Sequence, residues 1–452
     1  QVRLFSTQSS SSSNSHLDAG RLAEAEKCES QLHAMIDQVS SQQDKIAALE
    51  EMKVRQDEER VQLKILIQDL EKRSLQTLIN KNVVPVAAVV IMACNRPDYL
   101  QRTVESILKY QKAVASKFPL FISQVLVVAI SVLVFSIFKC VGRNFLHCSF
   151  QSQDGTNGEV KKKALSYTQI TFMQHVDLEP VRTERPGENV AYYKIANHYK
   201  WALDELFIKH DFRRVIILED DMEIAPDFFD YFEAAAKLLD TDKSIMAVSS
   251  WNDNGQKQFV YDPKALYRSD FFPGLGWMLT KSTWMELSPK WPKAYWDDWV
   301  RLKEVHRDRQ FIRPEVCRTY NFGEHGSSMG QFFDQYLKPI KLNDAHIDWN
   351  SEDLSYLKED KFLTKFGKDV ASATPVHGSD ALLKAHNLDV DVRIQYDNQG
   401  DFERIARQFG IFEEWKDGVP RAAYKGVVVF RYKGSRRRIY LVGPDSLRQL
   451  GV

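Results

Sequence analysis

The chain has 452 residues, enough for two or three domains with real cores, and 61 Lys and Arg balance 61 Asp and Glu to a net charge of +0. Without a basic field, nucleic acid is not an expected partner. Its 5 Cys (Cys28, Cys94, Cys140, Cys148, Cys317) are odd in number and far apart, with neither metal spacing nor a disulfide framework.

The opening Gln1-Val-Arg-Leu-Phe shows no cleavable leader and no initiator Met, so a further N-terminal segment is expected. Residues 7–16 form a Ser/Asn/Gln linker tract. From Asp18 to Gln76 the composition is rich in Gln, Glu and Lys, without Gly or Pro after Gly20. Leu32, Val39, Ile46, Leu49, Leu63, Ile67 and Leu70 fall at heptad-compatible spacing, but Lys53, Gln56 and Arg60 interrupt the seam. A long helix is predicted, either a weak coiled coil or a solvated single helix.

Val86 to Ala93 then reads as a buried strand, followed by the polar turn Cys94-Asn95-Arg96-Pro97 and an amphipathic helix through Leu100, Val104, Ile107 and Leu108. Arg96 at that strand tip suits a pyrophosphate or a uracil, or else a local ion pair. Phe118 to Gln124 is the next predicted parallel strand. Val125 to Phe138 is a mostly apolar run, shorter than the roughly 20 residues of a spanning helix. Ser152-Gln153-Asp154 repeats the Ser123-Gln124 before the run, which marks 125–153 as an insert; removing it restores Phe121-Ile-Ser-Gln-Asp-Gly. Ile170 to Val176 is a further strand, and Tyr192 to Phe207 a helix carrying His198, read on its own as a packed histidine.

Val215-Ile-Ile-Leu218 is a strand buried on both faces, and Glu219-Asp220-Asp221 follows where such a strand leaves its sheet. Ligands bind outside the carboxyl ends of strands in open α/β sheets. Crowded carboxylates repel unless a cation neutralises them, and Mg²⁺ or Mn²⁺ held with a substrate's phosphates is the natural answer. The alternative is a loop start that caps the helix from Pro226 and Asp227. Ile245 to Ser250 is a strand, and Phe271-Phe-Pro-Gly-Leu-Gly-Trp277 brings backbone close to a ligand or a neighbouring strand. In Trp291-Pro-Lys-Ala-Tyr-Trp296-Asp297-Asp298-Trp299, carboxylates flanked by indoles suit a sugar pocket with an Asp as base, oriented by Arg301 four residues on. An ordinary i,i+4 ion pair at a helix start is the competing reading. Asn321 to Gly330 is a glycine-punctuated loop able to close over a substrate. Short strands, a helix at Asp401–Phe409 and a strand pair at Val427–Phe430 and Ile439–Val442 follow, with 433–438 a solvated turn.

Four motifs in this order resemble the N-acetylglucosaminyltransferase I family in its plant form: Glu219-Asp-Asp-Met-Glu-Ile-Ala-Pro-Asp-Phe-Phe, Ser250-Trp-Asn-Asp-Asn-Gly, Asp270-Phe-Phe-Pro-Gly-Leu-Gly-Trp and Lys290-Trp-Pro-Lys-Ala-Tyr-Trp-Asp-Asp-Trp. The resemblance spans Val84–Gln124 and Asp154 to the C-terminus, and 18–76 is similar to the family's stem. It implies an α/β fold: a helical stem (1–80), a Rossmann-like GT-A nucleotide-sugar domain (81–335) and a smaller C-terminal α/β domain (336–452). It also implies an inverting, Mn²⁺-dependent transfer of GlcNAc from UDP-GlcNAc in β-1,2 linkage to the α-1,3-mannose arm of a five-mannose N-glycan. By motif, Arg96, Asp154, His198 and Asp220 would contact the UDP-sugar, with Ser328 in a loop over the donor. Asp221 would bind Mn²⁺ and Asp297 would deprotonate the acceptor's 2-hydroxyl, with Trp296 and Arg301 on the substrate side. The implied compartment is the Golgi lumen, on a type II anchor N-terminal to Gln1, with self-association through the stem. The insert departs from the family, where Gln124 and Asp154 are adjacent, and predicts impairment. Competing functions are transfer to O-linked mannose and an inactive, transferase-like binding subunit.

Overall fold

The computed structural model describes residues 27, 30–57, 59–60, 63, 84–127, 158–177, 181–377, 389–433 and 435–452. Contacts divide the chain into two units, Gln1–Arg73 and Ser74–Val452. In the first, residues 30–57 are helical and exposed throughout, Leu32, Val39, Ile46 and Leu49 included. The remainder of the predicted 18–76 helix lies largely outside the described residues. Among the described residues, no helix is long and apolar enough to cross a membrane.

The second unit is built on an eight-stranded sheet. Its strands are β1 (Ala88–Ala93), β2 (Leu120–Val127), β3 (Thr171–Asp177), β4 (Arg214–Glu219), β6 (Ile245–Ser249), β7 (Leu266–Ser269), β8 (Trp277–Thr280) and β9 (Gln310–Pro314). A short β5 (Met222–Ile224) pairs instead with β10 (Thr319–Asn321). The order is β3-β2-β1-β4-β8-β6-β9-β7, with the first four parallel and β8 antiparallel to β4.

Alternation explains why β1 and β4 read as unbroken apolar runs. Val89, Ile91, Ile216 and Leu218 enter one core with Leu100, Val104 and Ile107 of helix α1 (Pro97–Gln111). Ala88, Val90, Val215 and Ile217 enter the opposite core with Ala196, Tyr199 and Leu203 of helix α2 (Val190–Asp204). Both faces are therefore covered, as the crossover connections of a parallel sheet require.

β2 does not stop at Gln124 as predicted. Val125, Leu126 and Val127 continue the ladder opposite His175, Val176 and Asp177 of β3. The apolar, β-branched start of the presumed insert is a good strand in its own right, so pairing with β3 captures it. The rest of that run, with Asp154, lies outside the described residues.

Farther on, β11 (Thr374–Val376), β12 (Val392–Gln395), β15 (Val427–Arg431) and β16 (Arg438–Val442) form a second sheet in the order β11-β12-β16-β15. The hairpin β13 (Trp415–Lys416) and β14 (Val419–Pro420) precedes the predicted β15–β16 pair. This sheet is tied to the rim of the large one, where Arg431 Nε donates to Glu315 Oε1 at 3.1 Å. In the connection predicted as a solvated turn, Lys433 and Arg436 are exposed, while Arg438 at the start of β16 pairs with Asp391 at 2.8 Å and Asp369 at 2.9 Å.

Candidate active site

The strand order reverses between β1 and β4, and the turns that leave these two strands meet there. Register sets them level, since Met92 of β1 pairs with both Ser123 of β2 and Glu219 of β4. Arg96, three residues past β1, ion-pairs with Asp220 and reaches Asp221 Oδ2 at 2.9 Å. Thr103 of α1 fixes the acidic turn from below: its Oγ1 donates to the Asp220 carbonyl at 2.9 Å and accepts from Met222 N at 3.0 Å.

The Asn321–Gly330 loop lies directly on these groups. Asn321 Nδ2 donates to Asp221 Oδ1 at 3.0 Å, and Arg96 donates to the His325 carbonyl at 2.8 Å. A Cβ on Gly323 would stand 2.1 Å from Asp221 Oδ2, so only glycine lets the loop approach this closely. Ser328 is exposed on the loop.

Electrostatics follow from burial. Glu219 and Asp220 are pushed well above the usual carboxylate range by burial and by Asp221. The Cys94 thiol is pushed up to about 11 by burial and the adjacent Asp220. Burial works against the Arg96 charge, but Asp220 and Asp221 outweigh it and hold the guanidinium protonated. Asp220 Oδ2 is buried without a hydrogen-bond partner, an acceptor awaiting a donor or a cation.

Among the described residues, no three His, Cys, Asp or Glu side chains converge into a complete metal cage. A Mg²⁺- or Mn²⁺-type site needs only one or two carboxylates when substrate phosphates supply the remaining oxygens. The Asp221 carboxylate beside the unpartnered Asp220 oxygen fits that donor set.

The second carboxylate group stands on the short helix α3 (Trp296–Arg301), entered through Tyr295 at φ 50°. Arg301 Nη1 donates to Asp297 Oδ2 at 3.0 Å and Asp298 Oδ1 at 2.6 Å, and its Nε reaches the Phe272 carbonyl at 3.4 Å. Lys416 from the β13–β14 hairpin also pairs with Asp298. Arg301 is buried, so its place is behind the carboxylates. Trp296 is buried too, stacked against Tyr199 at 4.4 Å, Trp277 at 5.6 Å and Trp291 at 5.7 Å. It belongs to the aromatic core beneath Asp297, with its ring already in stacking contacts.

His198 lies on the β2–β3 side, with Nε2 2.8 Å from Ser123 Oγ and its ring stacked on His175 at 5.7 Å. Burial and then His175 hold its pKa well below the ordinary value, so it is a neutral imidazole. The structure thus brings Arg96, Asp220, Asp221 and the Ser328 loop together. His198 packs to one side on α2, and Asp297 and Arg301 form a separate group.

The GNT-I family matches residues 1–127 and 137–452. The chain belongs to the GNT-I family. The GNT-I match is interrupted at 128–136, inside the stretch read from sequence as an insert. A curated relative, the alpha-1,3-mannosyl-glycoprotein 2-beta-N-acetylglucosaminyltransferase of Arabidopsis thaliana, is 63% identical over 456 residues, spanning 100% of this chain and 94% of that protein. Among solved structures, the mannosyltransferase PcManGT from Pyrobaculum calidifontis in complex with GDP-Man and Mn2+ is 16% identical, covering 56% of this chain and 63% of that one. Its TM-score of 0.29 is too low to carry an argument.

In this GNT-I chain, sequence reasoning passed over Tyr199, the neighbour of His198. Tyr199 OH donates to Glu219 Oε1 at 2.7 Å, and its phenol is raised well above the ordinary value by burial, then Glu219, with Asp221 and Asp297 contributing. One ring therefore lies within the fields of both carboxylate groups. Asp227, read from sequence as part of a helix start at Pro226, stands at the N-cap of the helix Phe228–Thr241 but makes no side-chain cap bond. Its carboxylate instead accepts from Arg318 Nη2 at 3.1 Å, Asn343 at 2.8 Å and Trp349 at 2.7 Å. Three donors from distant sequence outcompete the local amide, and no local pattern signals that.

Proposed function

We propose that the chain is an inverting β-1,2-N-acetylglucosaminyltransferase that moves GlcNAc from UDP-GlcNAc to the α-1,3-mannose arm of a five-mannose N-glycan. The observation that carries this reading is the 63% identity over the whole chain to a relative named as an alpha-1,3-mannosyl-glycoprotein 2-beta-N-acetylglucosaminyltransferase.

The large sheet and its carboxyl-end site are in keeping with a GT-A nucleotide-sugar domain, for which 81–335 is the proposed extent, with 1–80 as stem and 336–452 as the smaller C-terminal domain. Arg96, Asp220, His198 and Asp154 are the proposed donor contacts, and the Ser328 loop covers the donor. Mn²⁺ would be held by Asp221 and would neutralise charge developing on the departing UDP. Arg96 supplies a fixed positive charge at the same strand tip.

Asp297 takes the proton of the mannose 2-hydroxyl as that oxygen attacks the anomeric carbon. The new oxygen–carbon bond forms as the bond to the diphosphate oxygen breaks, with inversion. Arg301 aims Asp297 through the 3.0 Å contact. The proposed location is the Golgi lumen.

The test is transfer of GlcNAc from UDP-GlcNAc to a five-mannose N-glycan, with and without Mn²⁺. Mn²⁺-dependent product bearing a β-1,2 linkage is the expected result. Preference for an O-mannosyl peptide would move the chain to the related transferase, and absence of both donor binding and transfer would leave a binding subunit.

A further inference from the structure

A cleft of about 830 Å³ opens beside the Asp297 helix, and none of the donor residues lines it. Its size lies within the range of about 300–1,000 Å³ of small-molecule sites. One wall is the segment before α2, with Glu184, Arg185 and Asn189; the other runs from Lys293 through Tyr295 to Asp298.

The first wall is held in shape from within. Tyr193 OH accepts from Glu184 N at 2.7 Å, Arg185 N donates to Glu188 Oε2 at 3.0 Å, and Asn189 caps α2 through Ala191 N at 3.0 Å. Across the opening, Lys293 pairs with Glu184 at 3.1 Å, both side chains largely exposed. Tyr295, which lines the cleft, packs its ring on Tyr192 at 4.9 Å.

The charge pattern selects the ligand class. Glu184, Glu188 and Asp298 face Arg185 and Lys293, so the cleft has mixed donors and acceptors and no cationic surplus for a diphosphate. Tyrosine rings beside alternating acids, bases and an amide suit a neutral polyhydroxyl chain, which needs many short-range hydrogen bonds and an apolar ring face. Asp298 ties this lining to the base, since Arg301 holds it together with Asp297.

We infer that this cleft is an acceptor subsite that binds the mannoses of the branched glycan that do not react, and so positions the reacting arm at Asp297. The inference rests on the transferase reading and adds the residues that read the acceptor. It predicts that much of the acceptor's affinity comes from sugars remote from the reacting hydroxyl.

Two variants test it: Arg185→Ala/Lys293→Ala, which strips polar groups from the exposed rim, and Ala294→Trp, which fills the space. Each is assayed with the five-mannose glycan and with a small mannoside carrying only the reacting sugar. The expected result in both variants is at least a tenfold rise in KM for the glycan, with KM for UDP-GlcNAc and turnover of the small mannoside unchanged. Equal changes on both acceptors, or none on the glycan, would overturn the subsite. If the parent chain transfers to neither acceptor, the transferase reading fails, and titration calorimetry with the glycan in the presence of UDP decides the cleft. Glycan binding lost in both variants then supports it; binding that is absent, or equal in parent and variants, refutes it.

Discussion

Asp221 and Asp297 stand on different elements, yet Tyr199 is within the field of both. Its ring stacks on Trp296, the residue before Asp297, and its hydroxyl is bonded to Glu219, two residues before Asp221. Tyr199→Phe removes one hydrogen bond to a half-buried carboxyl group and should cost about 0.5–1.5 kcal/mol in denaturant unfolding. An unchanged midpoint would show that the hydroxyl contributes nothing. Asp297→Asn keeps the shape but removes the base, so turnover should fall by about a hundredfold to ten-thousandfold while UDP-GlcNAc affinity holds. Equal losses in both would instead mark Asp297 as a donor contact. The bonding of Arg301 to Asp297 was legible from their four-residue spacing on a short helix, because i,i+4 neighbours share a helical face. Tyr199 was not: its role depends on α2 packing so that one side chain meets the carboxyl end of β4 at Glu219, and no spacing within one helix reports that.

At the scale of elements, the loop from Asn321 to Gly330 is set by a single close approach. Gly323→Ala puts a methyl group at the Asp221 carboxylate and must displace the loop or the acid. Mn²⁺-dependent UDP-GlcNAc binding should weaken at least tenfold, with little change in the unfolding midpoint, because the loop is largely exposed. Retained affinity would mean that the donor does not require this contact. The strand–helix packing of β3 on α2 carries a pH signature. Burial lowers the His175 pKa from 6.5 to about 4, partly opposed by Asp177, and His198 is lowered in the same direction. The unfolded chain therefore takes up protons first as pH falls. Stability from this packing is complete above about pH 6.5 and declines towards pH 4. His175→Phe, which preserves a flat ring against Trp201, should flatten the urea midpoint between pH 7 and 4.5; parallel curves for parent and variant would refute the assignment. The buried strands were legible because β-branched apolar runs bounded by polar turns are too short for most helices, and α1 because Leu100, Val104 and Ile107 recur at helical spacing. The end of β2 was misread because Val125–Val127 has the composition of a strand and the register of β3 to receive it.

For the whole molecule, the segment from Val125 to Gln153 carries its own prediction. The sequence reading of 125–153 as an insert predicts that its deletion raises both soluble yield and specific activity, measured in parallel with the parent. The deletion exchanges three β3-paired residues for Asp154-Gly155-Thr156. No gain in either quantity would refute impairment. At the other end, Lys416 comes from a hairpin more than a hundred residues after Asp298, yet the two pair directly. Arg421, just past the same hairpin, pairs with Asp253 at 2.9 Å. A premature stop between residues 331 and 416 would leave every donor-side and proton-accepting side chain encoded, but would remove the cation that pairs with Asp298 of the acceptor wall. Such an allele would be expected to act as a null, and complementation by a separately expressed C-terminal piece would gauge how far that wall can be supplied in trans.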